Sequence, residues 1–147
     1  MGEIRKDKSY FQIVIIRNPR DTVFSCIAHS EYNNPGAHKN IKASVIANLQ
    51  EYCKVLDSFN ENIEYINFYD FNYLEWAFFD IVNKLGLKVP DNFVLKPMPK
   101  DADPTFWSVV NTNFYKELLD YEFEDSLFDE ANEKYQAMLK ICQRPSL

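Results

Sequence analysis

The β-branched run Phe11-Gln-Ile-Val-Ile-Ile16 stops abruptly at Arg17-Asn-Pro-Arg-Asp21, and this junction constrains the chain more than any other feature. The run is apolar and nearly continuous rather than alternating, the pattern expected of a strand buried on both faces. Pro19 cannot continue a strand ladder. From Thr22 to about Tyr32 the apolar residues Val23, Phe24, Ile27 and Ala28 fall on one helical face, until Asn33-Asn-Pro-Gly36 breaks the pattern. A buried strand, a tight turn and a helix therefore follow one another within about twenty residues. Open α/β folds bind ligands at such a place, beyond the carboxyl ends of their strands.

The rest of the chain fits an α/β reading. A long helix is expected from about Lys39 to Ser58, with Ile41, Val45, Leu49, Tyr52 and Leu56 on one stripe. A second strand is expected at Ile63 to Phe68, followed by Tyr69-Asp-Phe-Asn-Tyr-Leu74 and another amphipathic helix. That helix places Leu74, Ala77, Phe78, Ile81, Val82 and Leu85 inward, and Gly86 stands where a C′ glycine would end it. Residues 89–112 read as a long loop rich in proline. Residues 113–143 are helical again, with Leu127, Phe128, Ala131, Tyr135, Met138, Leu139 and Cys142 on one stripe. The acidic stretch Glu122 to Glu130 reads as a solvated helix start, and Lys140 and Arg144 suit a helix end. The order β-α-α-β-α-loop-α-α indicates a helix-rich α/β domain with a small parallel sheet flanked by helices. Residues 1–147 form one domain on this reading, with 11–88 as its α/β part.

Composition removes several function classes. The net charge is −6 and no basic face is visible, so a duplex nucleic-acid binder is not expected. No apolar run reaches the roughly 20 residues of a membrane span, and the charged N-terminal stretch has no signal-peptide pattern. A soluble, cytoplasmic protein is the expectation. Cys26, Cys53 and Cys142 have no paired spacing and read as reduced, mostly buried thiols. Cys26 and His29 make a C-x-x-H pair without a second pair, so no metal site is expected.

One anion site remains. Arg17 would sit at the strand tip, Ser25 lies early on the helix, and the N–H groups from Asn18 to Thr22 would face the same crevice. A guanidinium, a hydroxyl and a helix start together can hold a phosphate. The blander alternatives are that Arg17 pairs with Asp21 or Asp70, that Ser25 is an ordinary helix residue, and that Asp21 is a helix-start carboxylate. His29 and His38 read as surface residues. Phe106 and Trp107 read as loop anchors.

The segment Ile13-Val-Ile-Ile-Arg-Asn-Pro-Arg-Asp-Thr-Val-Phe-Ser25 resembles the 3′-phosphate-binding strand–loop–helix of the PAPS-dependent sulfotransferases. Asn67-Phe-Tyr-Asp-Phe-Asn-Tyr-Leu74 and Lys84-Leu-Gly-Leu87 resemble a later element of that family, with Asp70 in its acidic place, and His29 and Tyr32 echo residues that follow its serine. The resemblance covers roughly residues 11 to 88. It implies a partial, P-loop-related fold and PAPS or PAP as ligand, and it places Arg17, Asn18, Arg20, Asp21, Thr22 and Ser25 at the nucleotide 3′-phosphate.

The departures are equally informative. The family's phosphosulfate loop lies well upstream of the arginine motif, yet sixteen residues precede Arg17 here and Gly2 is their one glycine. Lys96, Lys100 and Trp107 do not reproduce the spacing of the loop that closes over the 3′-phosphate. The resemblance therefore implies binding at one end of the nucleotide. Sulfuryl transfer to a hydroxyl or amine would need the missing loop from another chain, and no catalytic residue is assigned. The alternatives are a non-catalytic interaction module, with a homo-oligomer or partner protein covering the missing element, and a nucleotide-phosphate binder unrelated to sulfation.

Overall fold

The computed structural model of the chain describes residues 3–95 and 113–146. Strand β1, Gln12–Ile16, leads into helix α1, Pro19–Asn33, and helix α2, Ile41–Asn60. Strand β2, Ile66–Asp70, helix α3, Leu74–Lys84, helix α4, Asn113–Leu119, and helix α5, Ser126–Leu139, follow. The strands pair in parallel, with Val14 opposite Phe68 and Ile16 opposite Asp70. Among the described residues the molecule is thus a helix-rich α/β protein with a two-stranded parallel sheet and five helices. The described elements follow the order expected from the sequence.

The boundaries moved for local reasons. Helix α1 begins at Pro19, three residues before the expected Thr22, because proline is pre-set for a first helical position and Asn18 caps it. The Asn18 side-chain oxygen accepts from the Asp21 N–H at 2.8 Å, and its amide donates to the Asp21 carboxylate at 2.8 Å. Helix α2 runs on to Asn60, and residues Ile63–Tyr65 form a short 3₁₀ turn, so β2 starts at Ile66 rather than Ile63. Helix α3 ends as expected. Gly86 has φ +68°, the Gly86 N–H reaches the Asn83 carbonyl and the Leu87 N–H reaches the Val82 carbonyl, a full Schellman closure.

Two apolar clusters form the core. Val23, Ile27, Val45, Leu49, Leu118 and Ala131 pack the helices together. Ile16, Leu56, Phe59, Phe68, Tyr135 and Met138 fill the space between α2, α5 and one face of the sheet. The other face is treated unequally. On β2, Tyr69 is fully buried and its ring packs near Trp76 of α3. On β1, Ile13 and Ile15 are 39% and 47% exposed. The expectation of a strand buried on both faces is therefore corrected: β1 alternates, because neither a third strand nor a helix covers its outer face among the described residues.

Helix α3 also departs from expectation. Ala77 is its one buried residue, while Leu74 and Leu85 are 38% and 47% exposed. Of the cysteines, all free, Cys53 is buried, Cys142 is half-buried and Cys26 is exposed, so the expectation of mostly buried thiols fails at Cys26. Most of the expected loop 89–112, with Lys96, Lys100, Phe106 and Trp107, lies outside the described residues. No described helix is long and apolar enough to cross a membrane.

Candidate functional site

The carboxyl end of β1 is held by the fold. The Tyr52 hydroxyl donates to the Arg17 carbonyl at 2.7 Å, and the Thr22 hydroxyl donates to the Asn18 carbonyl at 2.8 Å. Burial, reinforced by Tyr135 and Cys53 nearby, pushes the Tyr52 phenol well above its ordinary range, so it stays a donor. The peptide after Ile16 is thereby pinned between α1 and α2, and the Arg17 side chain leaves it toward solvent and β2.

Arg17 has no acidic partner among the described residues. Its guanidinium lies over the Phe71 ring, 4.4 Å from the centroid. Its Nε is buried and makes no hydrogen bond. The two carboxylates that might have neutralised it are engaged elsewhere. Asp21 is bonded to the Asn18 side chain. Asp70 accepts from the Asn72 N–H at 2.9 Å and lies 3.3 Å from the Arg144 guanidinium. The alternatives that paired Arg17 with either residue are not realised. A buried donor with no acceptor is uncommon in folded proteins and calls for an explanation.

Arg17, Thr22 and Ser25 line one cavity of about 570 Å³, together with Cys26. Ser25 is exposed, so its hydroxyl faces this open space rather than the core. Partial burial raises the Cys26 thiol above its ordinary value, and the Arg17 charge pulls the other way. The remaining candidates are not all brought in. Asn18 and Asp21 spend their side chains on each other as the helix cap. Arg20 is exposed, its guanidinium 4.8 Å from the Phe24 centroid. His29 and Tyr32 are exposed and do not line the cavity.

Most of the cavity wall carries no mark in the local sequence pattern. It continues from Arg17 along β1 past Ile15 and Ile13, with Val55 and Phe59 of α2, and with Phe71 and Leu74 beyond β2. The apolar residues of α2 at 52, 55, 56 and 59 have the ordinary core-facing spacing and pack in the core cluster, so no local signal set the wall apart. Arg144 was read as a helix-end charge, and its role as the partner of Asp70 has no short-range signature.

What this arrangement can do is bind an anion at one end of an apolar groove. Among the described residues no group of three histidine, cysteine or acidic side chains is placed to hold a metal. No family model matches the sequence, and searches of curated proteins and of solved structures return no match.

Proposed function

We propose that this protein binds the 3′-phosphoadenosine part of PAPS or PAP, with Arg17 and Ser25 on the 3′-phosphate and the backbone at the start of α1 assisting. The observation that carries the reading is the Arg17 guanidinium, unpaired among the described residues and sharing one cavity with the Ser25 hydroxyl. Anions suit such a position through the helix dipole, although the Asp21 N–H is already bonded to the Asn18 side chain and the Thr22 N–H to the Asn18 carbonyl. The resemblance of residues 13–25 to the sulfotransferase motif supplies the identity of the nucleotide.

On this reading the chain is sulfotransferase-like and retains a single phosphate grip. Sulfuryl transfer gains its rate from positioning the donor and stabilising charge on the leaving phosphate. Transfer to a hydroxyl or amine therefore requires, besides the grip at Arg17, donors on the 5′-phosphosulfate. Calorimetric titration with 3′,5′-ADP and 5′-AMP tests the binding. Tighter binding of 3′,5′-ADP, weakened roughly 10- to 100-fold in Arg17→Ala, is the expected result for a charged hydrogen bond. Equal affinity for the two nucleotides would point to a phosphate binder unrelated to sulfation, and no binding of either would sink the reading.

A second reading is favoured by a separate observation, the exposure of Ile13, Ile15, Phe71 and Leu74 around the same cavity. A non-catalytic binding module, with a homo-oligomer or partner protein on that surface, would account for it. Sedimentation at several concentrations tests the oligomer, and a monomer throughout would remove it.

A further inference from the structure

We propose that the groove along the open edge of β1 is a site for a free, single-chain anionic amphiphile, its head on Arg17 and its tail running toward Ile13. The inference shares Arg17 with the nucleotide reading and depends on it for nothing else. Two features of the groove have to be met together. One end holds a guanidinium without an acidic partner among the described residues, its Nε buried and without a hydrogen bond among them, and the Ser25 hydroxyl lines the same cavity. Away from that end the wall is mainly apolar, with Ile13, Ile15, Val55, Phe59, Phe71 and Leu74 beside Tyr52 and Cys26.

A nucleotide satisfies the first feature better than the second. Its sugar and its ring nitrogens need hydrogen-bond partners, and the stretch from Ile15 to Phe59 offers none from side chains. A hydrocarbon tail needs none. The volume of about 570 Å³ lies within the range of small-ligand sites. At a strand's rise of ~3.3 Å per residue, Ile13 to Arg17 spans about 13 Å, room for a tail of about eight carbons. The complementarity of charge is one-sided: among the described residues, the one charged side chain lining this groove is Arg17. That selects an anionic head and disfavours a cationic one.

The geometry also explains why Arg17 can stay unpaired at a sheet end that holds a carboxylate. Asp70 stands opposite Ile16, next in register to Arg17, yet its oxygens are occupied by Arg144 and by the Asn72 N–H. The positive end of the groove is therefore not neutralised from within the sheet.

The test is calorimetric titration of the whole chain with n-butyl, n-hexyl and n-octyl phosphate, below the concentrations at which they form micelles. Octyl trimethylammonium and octanol serve as controls. One-to-one binding is expected, strengthening about 3- to 4-fold per methylene as the tail is buried. Binding should fall at least tenfold in Arg17→Ala and in Ile15→Glu. The latter replaces a half-exposed residue, so it tests the groove even if Arg17→Ala folds poorly. Affinity independent of tail length, or equal affinity for the ammonium amphiphile, would overturn the proposal. So would binding only to anionic vesicles, or a stable dimer that octyl phosphate does not displace from the groove. Binding of octyl phosphate without 3′,5′-ADP removes the nucleotide reading alone, and the converse result removes this one alone.

Discussion

The two strands of the sheet end side by side, and the chain treats their outer edges in opposite ways. Along β2 the edge is closed. The Gln143 N–H donates to the Phe68 carbonyl at 2.8 Å, its side chain reaches Asn67 and Lys84, and Tyr69 donates to Asp80 at 2.8 Å beneath α3. Along β1 no described segment pairs, the outward isoleucines are half exposed, and the arginine at the tip has no carboxylate. Edge strands are normally blunted by charge, proline or a covering segment. β2 has such a cover; among the described residues no strand pairs with the free edge of β1, and Gln12–Ile16 carries no charge.

The strongest test of this contrast is truncation on each strand. Phe68→Ala should cost about 3–5 kcal/mol, because the ring is buried between the sheet and Phe59. Ile15→Ala should cost below about 1 kcal/mol, since its side chain is already half in water. Denaturant unfolding measures both. Comparable losses would mean that the outer face of β1 is covered in solution and that the contrast is false.

A second test compares the two arginines at the same end of the sheet. Asp70 is 3% exposed and Arg144 is 41% exposed, so Arg144→Ala strands a buried carboxylate that keeps only its bond from the Asn72 N–H. Partial screening of the pair by water brings the expected loss to about 1–2 kcal/mol, below that of a fully buried pair. Arg17→Ala should change thermal stability by less than about 1 kcal/mol, the worth of a partly exposed ring contact, while weakening the proposed anion binding at least tenfold. If Arg17→Ala proved the more destabilising of the two, Arg17 would be a structural residue and not a ligand.

These contrasts also show what could be read from the chain and what could not. The elements were legible because each has a local cause: the β-branched run, the capping Asn18 with Pro19, the stripe on α2, and Gly86 at φ +68°. The co-location of Arg17, Thr22 and Ser25 was legible for the same reason, since turn and helix geometry fix it over nine residues. The exposure of β1 was not. An apolar run carries no mark of which of its faces will find a partner, and here the second face depends on what packs against it from elsewhere. The pairing of Asp70 with Arg144 spans 74 positions and follows from the C-terminal segment crossing the β2 edge, which no local pattern encodes.

The smallest expected effect concerns how the β2 edge is kept closed. Burial raises the Asp80 carboxyl, but the hydrogen bonds from Lys84 and Tyr69 outweigh it and hold the group below its ordinary value of 3.8. A carboxylate depressed in the folded state contributes stability above its unfolded pKa and loses it as the pH falls through the folded one. Lys84, which also donates to Gln143, is partly exposed, so the contribution should be modest, on the order of 0.5 kcal/mol. Its effect should nonetheless be local. Below the ordinary carboxylate range the Tyr69–Asp80–Lys84 network loosens, Lys84 loses its anchor, and the bond from Gln143 to the Phe68 carbonyl opens more often. Amide hydrogen exchange at Gln143, corrected for the intrinsic effect of pH, should accelerate before exchange in the buried turns of α2. Exchange that rises uniformly across both would mean that the edge is closed by the core as a whole, and Asp80→Asn should then leave it unchanged.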